Sequence, residues 1–130
     1  MPLVKVQIYK GKSAEYRRSI MDGIHAALVE AIKVPEGDRM QALRELDPEH
    51  FERSEGRSEN VTLIEITMFK GRSLEAKKNL YKAIARNLEK APGISGKDIL
   101  IVLYEPPMED WSLRDGLAAS DTGAGFKIDV

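Results

Sequence analysis

The chain has 130 residues, 42% of them apolar, a size and composition that suit one domain around a single core. Its 20 basic and 21 acidic side chains leave a formal charge of −1, which offers no broad attraction for nucleic acid or anionic lipid, so any anion must be met by a local cluster. The absence of cysteine excludes disulfides, thiolate catalysis and cysteine-bound metal; no run approaches the about 18 apolar residues of a membrane span, and a cytoplasmic protein is expected.

In chain order, Val4, Val6 and Ile8 alternate with polar residues and predict a strand. A turn, Tyr9-Lys10-Gly11-Lys12, leads to Ser13, placed to cap a helix whose first turn carries Glu15. Tyr16, Ile20, Ile24 and Leu28 recur every four residues and give that helix one apolar stripe. Val34-Pro35-Glu36-Gly37 breaks the period, and the mixed segment from Met40 to Glu45 predicts a rather exposed strand. Residues 47–60, DPEHFERSEGRSEN, have no period and read as a connector.

The second half repeats the plan. Ile64, Ile66 and Met68 alternate as a strand, Phe69-Lys70-Gly71-Arg72 turns, and Ser73 with Glu75 opens a helix striped by Ala76, Leu80, Ile84 and Leu88. Pro92-Gly93 ends it, and the apolar run from Ile99 to Tyr104 suits a buried parallel strand. The tail, 106–130, carries Pro-Pro, Trp111 and several glycines; it is expected to pack as short pieces on its own or a neighbouring subunit.

Shifting the chain by 60 residues lays Lys10, Gly11, Ser13, Glu15, Ile24 and Leu28 on Lys70, Gly71, Ser73, Glu75, Ile84 and Leu88 without a gap. The chain is thus one domain of two β-α-β units, at about 3–46 and 61–105. Right-handed crossovers make the strands of each unit parallel. Two such units form an α+β fold, a four-stranded mixed sheet with both helices on one face. Its other face would be bare, which predicts self-association.

Three places could carry chemistry. Trimming of Met1 would leave Pro2 as a secondary amine, of reference pKa ~8, on a rigid strand; desolvation or nearby cations would make it a general base near neutrality, and a higher pKa would make it an acid. Alternatively Pro2 marks only a processed start. Lys70 and Arg72 precede a helix N-terminus, where cations oppose the helix dipole unless an anion joins them; otherwise they are solvated turn residues. Asp38 could orient a water or hold a charged proline, or simply turn the chain, as its counterpart Asp98 would. Trp111 is a packing anchor or a wall for a substrate. His25 and His50 lack metal-ligand spacing, and DTGAG lacks the strand-to-helix setting of a phosphate loop, so no metal or cofactor is expected.

The proline on the first strand, the KGRS turn before an amphipathic helix and the β-α-β unit resemble the tautomerase superfamily. The second unit, KGRSLEAKKNL through ILIVLYE, and the tail DWSLRDGLAAS resemble the whole short subunit of 4-oxalocrotonate tautomerases. Two fused units, with VPEGDRMQ and DWS, are closer to the malonate semialdehyde decarboxylase subgroup. The resemblance implies a homotrimer, catalysis by Pro2 assisted by Asp38, and a small oxo acid whose carboxylate is held by Arg72, with Lys70 where the subgroup has a second arginine and Trp111 nearby. It implies a cofactor-free tautomerase with Pro2 as general base, or a decarboxylase or hydratase in which Pro2 stays protonated. A non-catalytic trimer that binds a small ligand is the remaining reading.

Overall fold

A computed structural model describes residues 2–130. Strand β1 (Leu3–Tyr9), helix α1 (Ala14–Ile32) and strand β2 (Met40–Leu46) form one unit; β3 (Thr62–Thr67), α2 (Leu74–Lys90) and β4 (Ile99–Tyr104) form the other. The strands of each unit pair in parallel, and the antiparallel pair β1 and β3 joins the units into a mixed sheet of order β2-β1-β3-β4.

Both helices begin where serine can cap them. Ser13 Oγ accepts from the Tyr16 amide at 3.0 Å and Ser73 Oγ from the Ala76 amide at 3.1 Å. Each satisfies an amide that the helix itself cannot, a contribution of about 1 kcal/mol. The apolar stripes then meet one face of the sheet: Ile20, Ile24, Leu28, Leu80, Ile84 and Leu88 pack on Val4, Val6, Ile8, Ile64 and Ile66, all fully buried or nearly so. At roughly 1.5–3 kcal/mol per buried aliphatic side chain, this layer is the main source of stability. Gly23 sets how closely the helices approach, because a Cβ there would lie 3.0 Å from Leu88 Cδ2, and Asn87 Nδ2 donates to the Gly23 carbonyl at 2.9 Å.

Asp98 proves to be a structural acid. Buried in the turn just before β4, it accepts from the Ser58 amide at 2.6 Å and from the Ser58 hydroxyl at 2.7 Å, tying the connector to the second unit. Burial pushes its carboxyl up, but the Ser58 hydrogen bonds and the charges of Lys97 and Arg57 outweigh that and hold it below the ordinary carboxylate value. A depressed carboxyl stabilises the fold above its unfolded pKa of about 3.9 and loses that contribution as pH falls through the folded value. Asp98→Ala is therefore expected to lower the unfolding free energy by about 2–3 kcal/mol at pH 7 in urea titrations. The gap to wild type should shrink below about pH 4; a gap unchanged at pH 3 would contradict the assignment.

One expectation is corrected. The Ile99–Tyr104 strand, read from its apolar run as buried, lies at an edge of the sheet, because the antiparallel pairing of the two units puts β1 and β3 in the middle. Only its alternate side chains Ile99, Ile101 and Leu103 reach the core. Leu100, Val102 and Tyr104 point to the helix-free face, 41%, 38% and 49% exposed. The tail folds on its own subunit as the hairpin β5 (Ser112–Arg114) and β6 (Leu117–Ala118) and the short helix α3 (Ala119–Thr122). It builds a second small core in which Trp111, Phe69 and Ala119 pack with Leu3. Among the described residues, no helix is long and apolar enough to cross a membrane.

Candidate active site

The sheet brings the start of β1 to the start of β2 and the end of β3, since Leu3 pairs with both Met40 and Thr67. Pro2, one residue earlier and buried, sits between the Asp38-Arg39 approach to β2 and the Met68-Phe69 exit from β3. A central strand thus fixes its position from both sides. The trimming of Met1, on which a free Pro2 amine depends, concerns a residue outside the described ones.

Arg72 reaches the same end of the sheet. The Met68 amide donates to the Tyr104 carbonyl at 2.9 Å, and the chain then turns through Gly71, whose φ of 138° disfavours a side chain. Arg72 folds back so that Nη1 donates to the Phe69 carbonyl at 2.9 Å, and the residue is only 6% exposed. Its Nε and Nη2 are buried without a hydrogen-bond partner among the described residues. These two atoms carry the parallel N–H bonds of the guanidinium's side fork, the pair that matches the two oxygens of a carboxylate. Burial lowers the pKa of Arg72, and the negative charge of Glu105 opposes that fall. A buried donor pair left open this way costs stability unless an anion fills it.

Lys70 is exposed at the rim. Asp38 is half-buried, with its amide donating to the Pro35 carbonyl at 3.0 Å. The turn before it is braced by His25, whose Nε2 lies 2.9 Å from the Glu36 carbonyl oxygen. Trp111 is buried, its ring centroid 4.8 Å from that of Phe69 and its Nε1 donating to the Pro106 carbonyl at 3.2 Å. In the subunit it anchors Phe69, and through Phe69 the turn that carries Arg72. The structure therefore gathers Pro2, Asp38 and Arg72 at one end, with Lys70 at the rim and Trp111 behind. Among the described residues, no three His, Asp or Glu side chains are grouped to hold a metal ion.

The sequence reading missed the cover over Arg72. The Phe126 ring centroid lies 5.8 Å from the Arg72 Cζ, Ile128 packs where a Cβ on Gly71 would be 3.1 Å away, and the Val130 carbonyl accepts from the Ser73 amide at 3.0 Å. A signal was present in the alternation of Phe126, Ile128 and Val130 with charged residues, the period of an extended segment with one buried side.

The corresponding turn of the first unit offers no such opening. Lys10 Nζ pairs with Asp47 at 3.3 Å, and Lys12 Nζ, which stands where the second unit has Arg72, donates to Asn60 Oδ1 at 2.5 Å. Among the described residues, Arg72 is the one arginine with buried side-chain nitrogens that lack a partner.

Two models described as tautomerase enzyme match residues 38–114 and 2–56. The probable tautomerase YusQ of Bacillus subtilis (strain 168) is 30% identical, with 91% of this chain and 97% of that protein aligned. The crystal structure of FG41 malonate semialdehyde decarboxylase inhibited by 3-bromopropiolate superposes with a TM-score of 0.85 at 33% identity, over 93% of this chain and 95% of the other. A fused 4-OT solved as a symmetric trimer shares the fold, with a TM-score of 0.83 at 24% identity over 93% and 98% of the two chains. With two β-α-β units in one sheet and a similarity that spans most of the chain, the assignment is direct: the chain belongs to the tautomerase superfamily of enzymes.

Proposed function

We propose that the protein is a cofactor-independent tautomerase acting on a small 2-oxo acid, with the Pro2 amine, freed by removal of Met1, as general base. The enol oxygen gives its proton to the neutral nitrogen of Pro2, and Pro2 returns a proton to the adjacent carbon, so the enol becomes the ketone and the amine ends neutral. Arg72 holds the carboxylate through its Nε and Nη2 fork, and Lys70 adds positive charge at the rim that stabilises the developing oxyanion. The observation that carries the reading is that fork, buried and unfilled, at the Pro2 end of the sheet.

The active form is a homotrimer in this proposal. Support comes from the apolar side chains left on the helix-free face, Met40, Leu100, Val102 and Tyr104, and from the trimeric fused 4-OT of the same fold.

A second reading is favoured by the similarity to malonate semialdehyde decarboxylase and by Asp38 at the same sheet end. In it Pro2 stays protonated, polarises the carbonyl of a 3-oxo acid and lets carbon dioxide leave, or lets water add, while Asp38 balances the charge. The two readings separate in one assay. Wild type is expected to speed phenylenolpyruvate ketonisation, followed by loss of enol absorbance, with a rate that rises through a single limb near neutrality as Pro2 loses its proton. Consumption of malonate semialdehyde with no effect on phenylenolpyruvate would replace the first reading with the second.

A further inference from the structure

The end of the last sheet strand carries an ion pair that the proposed reaction does not use. Lys77 Nζ, on α2, is 2.6 Å from Glu105 Oε1, just past the end of β4, and both side chains are 23% exposed. The first unit has the equivalent pair 60 residues earlier, where Arg17 Nη1 lies 3.4 Å from Glu45 Oε2. In both units the pair fastens helix to strand end. In the first unit Arg17 Nη1 also donates to the Lys12 carbonyl at 2.7 Å, and the Lys12 ammonium itself is bound to Asn60.

The second unit differs at one residue. Arg72 stands in place of Lys12 and leaves Nε and Nη2 without a partner. Its Nη1 bonds the Phe69 carbonyl, one residue past the Met68 amide that donates to the Tyr104 carbonyl. Glu105, next after Tyr104, therefore leaves the neighbouring strand beside that turn, and its charge opposes the fall in the Arg72 pKa. A carboxylate released at that place would match the open fork as well as any substrate and would be tethered beside it. We infer that Lys77 is a positioning residue: by holding Glu105 it keeps the Arg72 fork free for the substrate's carboxylate. The inference rests on the proposed role of Arg72 as that carboxylate's ligand.

The test measures binding rather than turnover. The full-length protein is titrated with 2-oxobutanoate, and the shift of the Arg72 Nε–H signal, assigned by its absence in Arg72→Ala, is followed in 15N–1H spectra. A shift with 2-oxobutanoate and none with 2-butanone is expected for wild type. A Glu105 carboxylate that fills the fork nine-tenths of the time would raise the apparent Kd about ten-fold, so Lys77→Met should show that loss and Lys77→Arg should not. Glu105→Gln should recover about ten-fold in the Lys77→Met background while changing Kd by under about three-fold alone, a non-additivity that simple loss of a nearby charge would not give.

If the wild-type signal does not respond to the carboxylate, the role of Arg72 itself fails and this inference with it. If wild type responds but Lys77→Met binds equally well, or the two substitutions are additive, the inference alone is overturned. Thermal melts of the four variants complete the cycle: weak binding by Lys77→Met that persists in the double variant would mark a merely structural clasp, and also overturns it.

Discussion

Pro2→Ala is expected to lower kcat/KM for enol ketonisation by about 10²–10⁴-fold while leaving the fold intact, as judged by far-UV circular dichroism. A loss of 10³ corresponds to about 4 kcal/mol of transition-state stabilisation. The reason is placement as much as basicity. Pro2 precedes a central strand paired on both sides, and its ring allows the nitrogen little rotation, whereas alanine offers a primary amine free to turn away. A stricter form of the experiment extends the chain ahead of Pro2 with residues that are not trimmed. The nitrogen then becomes an amide with no basic lone pair, and activity should fall at least as far. Retention of activity within about three-fold in both variants would remove Pro2 from the mechanism.

Arg72→Met should act in opposite directions on activity and on stability. Loss of the two-point grip on the carboxylate is expected to lower kcat/KM by about 10²–10³-fold, the scale seen when one preorganised hydrogen-bond donor is removed. Arg72→Lys should recover only part of this, because an ammonium keeps the charge but not the planar fork. The same substitution removes a buried guanidinium with two unfilled donors, so the variant should be more stable than wild type by about 1–3 kcal/mol in the absence of ligand. Ligand reverses the order: a saturating small oxo acid at about 100 times its Kd adds about 2.7 kcal/mol to wild type and nothing to Arg72→Met. Thermal melts with and without 2-oxobutanoate read both effects. Equal loss of stability and activity would instead make Arg72 a structural residue.

The site shows how far a single chain could be read. The caps at Ser13 and Ser73, the two helix stripes and the strands follow from periods of 3.6 and 2 and from short hydroxyls placed before the helices, all of them local signals. The 60-residue repeat then made the second unit a check on the first. That comparison also marked Lys70-Gly71-Arg72 as the turn where charge was placed at a helix start. What local pattern did not carry was depth. The run Ile99–Tyr104 looks buried because an apolar composition records that a strand is covered, not by what, and here it is an edge strand with one bare face.

The residues of this chain determined by themselves that there are two β-α-β units, where each helix starts, and that a proline opens the first strand while a cationic turn follows the first strand of the second unit. Only the tertiary structure decided which donors of Arg72 are filled. The Phe69 carbonyl takes Nη1 and Phe126 covers the guanidinium, two contacts from residues 3 and 54 positions away from Arg72. Sequence spacing places a side chain on an element, but whether a polar atom is satisfied depends on groups that distant parts of the chain bring to it, and that difference separates a packed arginine from a binding site.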